Sequence, residues 1–296
     1  MSNIWLGDEL ELGKCEVVFS CSEGFTNVGW RGGNDDWIPV FPTGGSVQSE
    51  IMKILSFDIE ISDVFELSKN EDMETYAPFH ISVAATAIHN GEERLWYSQD
   101  TDGLPALNLT QQRAQELLEY LAQMQEDRFM VCAWNGLGFD LKWIGHQADD
   151  MRLAAQVALK SYDPMFQFFN QKGFPVGLAS VAAGMGIGQE KLMNGADAPK
   201  EWRAGNCERV MEYVVGDCQM TNLIVHAIQE ASEVRWVTRD GATRSEPMER
   251  LKTVEEVMGD PEPDQSWMDT PLPKSKFSAW LQDFDSPNCD ALMFDF

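Results

Sequence analysis

The sequence contains no apolar run of 18 residues, so no membrane-spanning helix is expected. It opens MSNIWLGDELELGK, with no basic stretch leading into an apolar one, and no secretory leader is indicated. A cytoplasmic protein without a membrane partner is the expectation. None of the cysteines (15, 21, 132, 207, 218, 289) forms a CxxC pair. Buried reduced thiols account for them better than zinc or disulfides, although Cys15 and Cys21 are near enough in sequence to pair. A G-x-S-x-G elbow is missing, which removes that form of serine hydrolysis, and no Walker loop exists to drive a nucleotide-fuelled motor. The histidines at 80, 89, 146 and 226 have no ligand-like neighbours at metal spacing. Positive charge is scarce: 22 Lys and Arg stand against 48 Asp and Glu, a net charge of -26. A nucleic-acid binder usually carries a basic face. Part of the acidic excess lies at the ends, with a net of -6 over residues 1–50 and -8 over residues 245–296.

What the chain does have is carboxylates in ordered contexts. The apolar run Lys53-Ile54-Leu55-Ser56-Phe57 closes on Asp58-Ile59-Glu60, which reads as a buried central strand. Residues two apart on a strand share a face, so Asp58 and Glu60 project together. Such a pair repels itself strongly unless a hard divalent cation such as Mg2+ or Mn2+ joins it. A second apolar run, Phe129 to Trp134, leads through Asn135-Gly136-Leu137-Gly138, a tight turn, into a helix that starts at Phe139-Asp140. Asp140 falls in that helix's first turn, where the macrodipole favours a carboxylate. A third segment, Cys207 to Ala231, reads as an amphipathic helix of about six turns. On it Tyr213 and Asp217 are four apart and share a face.

Between these segments the pattern predicts strands at 53–61, 80–88, 93–98 and 129–135, and a short strand near 159–162. Helices are expected at 110–126, 139–147, 149–158, 163–172, 177–185 and 249–258. Asp240-Gly241 marks a hairpin after the long helix. Residues 1–50 show little periodicity, with a strand pair around Glu16–Phe19 and Trp37–Phe41. The polar segment 62–79 reads either as lying beside the site or as a plain solvent loop, and the stretch holding Lys191, Lys200 and Arg203 either as a loop whose cations face phosphates or as a solvated one.

FDIE, NGLGFD and the Tyr-x3-Asp helix together resemble the three motifs of the DEDD exonuclease superfamily, in its DEDDy branch. That group includes ribonuclease D and the proofreading domains of DNA polymerases. The sister branch carries a His where this chain has Glu212. The resemblance runs from about Lys53 to Ala231. Asp163-Pro-Met-Phe-Gln-Phe-Phe, Lys172-Gly-Phe-Pro-Val-Gly-Leu and Glu201-Trp202 extend the likeness to bacterial exonuclease modules of this kind. The resemblance implies an α/β, RNase H-like mixed five-stranded sheet flanked by helices. It divides the chain into an irregular N-terminal extension (1–50), the exonuclease domain (51–244) and an acidic C-terminal strap (245–296).

It also implies metal-dependent 3′–5′ exonucleolysis of single-stranded DNA or RNA, with two divalent ions, Mg2+ or Mn2+, as cofactors. Asp58, Glu60, Asp140 and Asp217 would be the metal ligands and Tyr213 would orient the attacking water. Asn135, Lys191, Lys200 and Arg203 are the candidate substrate contacts. A helicase or polymerase is the kind of protein partner such modules work beside. The competing expectation is a catalytically silent module that uses the same pocket to hold a nucleic-acid end or a partner.

Overall fold

Asp163 and the proline after it govern how the central sheet ends, and the sheet carries Asp58 and Glu60. In the computed structural model, residues 53–66, 68, 71–188 and 192–281 are described in full, with the backbone alone of 16–22, 25–31 and 37–39. The chain divides into two units, Met1–Ile51 and Met52–Phe296. In the first, β1 (Glu16–Ser22), β2 (Phe25–Arg31) and β3 (Trp37–Pro39) pair as an antiparallel sheet in that order. Two of these strands overlap the expected pair; β2, with Gly29 inside it, carries too weak an alternation to be anticipated.

The second unit is built on a sheet in the order β6-β5-β4-β7. Its strands are β4 (Ile54–Ile61), β5 (Ile81–Ile88), β6 (Glu93–Trp96) and β7 (Met130–Cys132). β5 runs antiparallel to β4 and β6, whereas β7 runs parallel to β4. Helices flank it: α1 (Gln111–Glu126), α2 (Asp140–Ala148), α3 (Met151–Lys160), α4 (Pro164–Lys172), α5 (Leu178–Met185), α6 (Ala198–Arg203) and α7 (Cys207–Ala231). A hairpin of β8 (Glu233–Val237) and β9 (Thr243–Pro247) follows, then α8 (Val254–Gly259). The mixed α/β sheet flanked by helices is the architecture expected.

The fifth strand is reduced to one residue. Ser161 caps the end of α3 and Asp163 caps the start of α4, leaving Tyr162 alone between them. Tyr162 makes a single parallel bridge to Cys132 and an antiparallel one to Thr253. Pro164 at the first helical position has a preset φ and no N–H to lose, so the chain turns into α4 at once.

β4 sorts its side chains cleanly. Leu55, Phe57, Ile59 and Ile61 enter the large core with Leu117, Leu118, Leu141 and Phe166. Ser56, Asp58 and Glu60 lie on the other face, and their cross-strand partners on β5 are Ala87, Ala85 and Val83. Those three small residues pack with Tyr213, Val214 and Cys218 of α7. Small side chains on β5 let α7 lie close to the sheet. Ser56 Oγ then donates to the Cys218 carbonyl at 2.6 Å, and Asn222 Nδ2 donates to the Ala87 carbonyl at 2.9 Å. The stretch after β9 packs inward too: Met248 and Leu251 join the core under α7, while Val254, Val257, Phe277 and Leu281 join the larger one. Residues 282–296 lie outside the described residues.

Candidate active site

Asp58 and Glu60 reach a cavity of about 470 Å3 from the end of β4. From the opposite side α7 contributes Tyr213 and Asp217, which belong to its buried stripe of Val210, Val214, Cys218, Thr221 and Ile224. The four therefore meet because a strand with period two and a helix with period 3.6 present matching faces across one layer. Glu60 and Asp217 are buried, at 9% and 8% exposure, and Asp58 is half-buried. The Tyr213 hydroxyl is hydrogen-bonded to Asp217. Burial first, then the charges of Asp217, Glu60 and Asp58, push its phenol far above the ordinary range. The hydroxyl therefore keeps its proton and acts as a hydrogen-bond donor.

Asp140 stands apart from the cavity wall. It begins α2, is 3% exposed, and its Oδ1 accepts the Ile59 backbone N–H at 3.1 Å. β7 pairs with β4 only as far as Ser56, so the edge of β4 beyond that point has lost its neighbour. The Asp140 carboxylate takes the neighbour's place, at the residue between Asp58 and Glu60. Desolvation, offset in part by backbone N–H groups, raises its pKa to about 7. Cys218, fully buried between the layers, has its thiol pushed well up by burial and by the charges of Asp58, Asp217 and Asp140. Asp58, Asp217 and Asp140 thus all act on this one thiol.

Asp163 holds the turn that delivers Asp140. Its carboxylate accepts N–H groups from Asn135 and Leu137, each at 3.1 Å, and from Phe166 at 3.1 Å. It is 3% exposed, and burial raises its pKa to about 6. In the sequence Asp163 stands out only as part of a likeness. Its Asp-Pro signal marks a helix start, and nothing in it announces a clamp on a turn 28 residues earlier.

Of the candidate substrate contacts, Lys200 lines the cavity with Gly195, Ala196, Asp197 and Pro199. The stretch expected as a loop carries α6 here, started by Pro199 in its first turn. Arg203 points back to the sheet, its Nε donating to the Ser62 carbonyl at 2.6 Å. Asn135 is not on the cavity wall: it occupies a left-handed turn with φ 69°, and its Oδ1 is buried against Gly138. Asn tolerates that conformation better than most residues, which is a local reason for it. Lys191 lies outside the described residues. The segment after β4 supplies Asp63, Val64, Phe65 and Met73 to the lining. A Cβ at Gly195 would stand 3.4 Å from the Tyr213 hydroxyl, so the turn at Gly195–Asp197 roofs that group closely.

Among the described residues no three His, Cys, Asp or Glu side chains have converged into a finished ion shell. The donor set nevertheless suits a hard divalent cation: oxygen ligands only, buried, and mutually repelling. Asp58, Glu60 and Asp217, with Asp140 at the β4 edge beside Ile59, are the residues that would hold it. Cys132, Cys207 and Cys218 are free thiols. No helix among the described residues is long and apolar enough to cross a membrane.

The raised carboxylates make a prediction for the metal-free protein. Asp140 and Asp163 have folded pKa values near 7 and 6 against 3.8 in a solvated chain, so the folded state holds more protons between those limits. Their contribution to stability is complete at low pH and is lost as pH rises through the folded values. In EDTA the melting temperature should fall by roughly 5 °C or more between pH 5.5 and 8. Mn2+ should recover more at pH 8 than at pH 5.5. A profile that rises with pH over this window contradicts the assignment.

A family model described as the RNase_H superfamily matches residues 72–229, more than half of the chain. The chain belongs to the RNase H superfamily. The matched span holds Asp140, Tyr213 and Asp217, and Asp58 and Glu60 precede it. Superfamily membership carries the coarse assignment of a nuclease fold. No curated protein matches the chain significantly. Ten solved chains do. One is the family B DNA polymerase from the hyperthermophilic archaeon Pyrobaculum calidifontis, at 14% identity and a TM-score of 0.41. The likeness covers 73% of this chain and 28% of the polymerase chain.

Proposed function

We propose that residues 51–244 form a metal-dependent 3′–5′ exonuclease of DEDDy type, which trims single-stranded DNA or RNA to nucleoside 5′-monophosphates. The observation that carries this reading is the meeting of Asp58 and Glu60 from β4 with Tyr213 and Asp217 from α7 on one cavity. Two divalent ions, Mg2+ or Mn2+, would supply an activated water and stabilise the leaving 3′-oxygen when bound. The chain's own residues do the rest. Asp58, Glu60 and Asp217 bind from the open wall, and Asp140 binds from the edge of β4. Tyr213, oriented by Asp217 and roofed at Gly195, holds the attacking water in line. Lys200 meets the phosphate from the opposite wall. Val64, Phe65 and Met73 offer an apolar surface to the terminal base.

The test is product analysis on 5′-labelled single-stranded DNA and RNA with Mg2+, Mn2+ or EDTA. A metal-dependent ladder receding from the 3′ end is expected, with mononucleotide products. Absence of cleavage, with stabilisation by the metal retained, would favour the silent binding module instead. Tyr213→Phe keeps the ring in its apolar cluster and removes only the hydroxyl. It should lower kcat by roughly 10–100-fold with metal affinity and melting temperature nearly unchanged. Wild-type kcat in that variant would remove Tyr213 from the site.

A further inference from the structure

Among the described residues, cations on segments that adjoin the cavity lining are engaged by neighbouring groups of the chain. On the wall next to Met73, Lys142 Nζ binds both carboxylate oxygens of Glu74, at 2.9 and 2.8 Å. Lys276 pairs with Asp72 on the same segment. Arg203 donates to the Ser62 carbonyl, and Arg209 pairs with Glu201 at 3.8 Å. The cavity itself sets Lys200 beside Asp58, Glu60, Asp63, Asp197 and Asp217. Around it the whole chain carries a net charge of -26. Gripping a long strand means neutralising several phosphates, and each ion pair that must open for this costs its existing partner. The cavity, at about 470 Å3, is in the size range of small-molecule sites and takes a nucleotide-sized group.

From this arrangement, and resting on the exonuclease reading above, we propose that the substrate is a short single-stranded oligonucleotide, held by its 3′-terminal nucleotide and scissile phosphate alone. Among the described residues the cations beside the cavity segments are already paired, so phosphates farther along the strand recruit few of them. Each cleavage is therefore followed by release, and a longer strand offers no advantage per 3′ end.

The full chain is assayed on labelled oligonucleotides of three, five, ten and twenty residues at fixed free Mn2+, over a series of KCl concentrations. The expected kcat/KM varies less than about fivefold with length, and its log–log salt slope is shallower than about -1.5, since each phosphate contact to a single strand contributes about -0.7. Glu74→Gln supplies an internal check, because it releases Lys142 without touching the candidate ligands. It should steepen the slope by about 0.7 and favour the longer substrates. A rise of more than about fivefold with length in the wild-type protein, or a salt slope steeper than about -1.5, overturns the proposal and leaves the exonuclease reading intact. No cleavage at any length overturns both.

Discussion

Asp140→Asn should abolish metal-dependent cleavage, by about a thousandfold or more, in a protein that still folds. The asparagine carbonyl can accept the Ile59 N–H that Asp140 Oδ1 accepts now, so the exposed edge of β4 keeps its partner. Only the charge is removed. Because that charge is buried and disfavoured in the metal-free protein, the variant should melt no lower than wild type in EDTA at pH 8. The fall in stability between pH 5.5 and 8 should also flatten. Loss of cleavage together with unchanged or improved melting would separate a ligand from a structural carboxylate. Cleavage at the wild-type rate would remove Asp140 from the metal site.

Asp163→Ala should show the opposite pattern. The carboxylate is buried and accepts N–H groups of Asn135, Leu137 and Phe166. Removing it strands three buried donors, uncaps α4 and loosens the turn that leads to Asp140. Each stranded donor costs about 1–3 kcal/mol, so a total near 3 kcal/mol is a floor, and a fall in melting temperature of about 10 °C is expected. Asp163→Asn retains one acceptor oxygen and should fall between. Cleavage should drop with Asp163→Ala even at temperatures where the variant is folded, because Asp140 has lost its fixed approach to Ile59. A melting temperature within about 2 °C of wild type would contradict the clamp.

Much of this was legible in the sequence because it rests on short periods. Asp58 and Glu60 alternate with Phe57, Ile59 and Ile61, and that alternation puts the two carboxylates on one face of β4 and the apolar side chains in the core. Tyr213 and Asp217 sit four apart on a helix whose apolar stripe is plain. The roles that were not legible depend on long-range hydrogen bonds. Asp140 acts on a backbone N–H 81 residues away, and Asp163 on a turn 28 residues before it. Asn135 is ambiguous for a related reason. An Asn before Gly suits a left-handed turn whether or not it faces a ligand, and here the turn accounts for it. α6 escaped notice because Gly195, Pro199 and Gly205 punctuate its stretch like a loop, although Pro199 in fact opens the helix.

The most direct test of the central claim is a calorimetric titration of Mn2+ into the metal-free protein, beside Asp58→Ala and Asp140→Asn. Saturable binding that weakens at least tenfold in both variants, and that stabilises wild type against heat, is the predicted result. Equal Mn2+ affinity in all three proteins would mean that the carboxylates gathered from β4, α2 and α7 do not form a metal site.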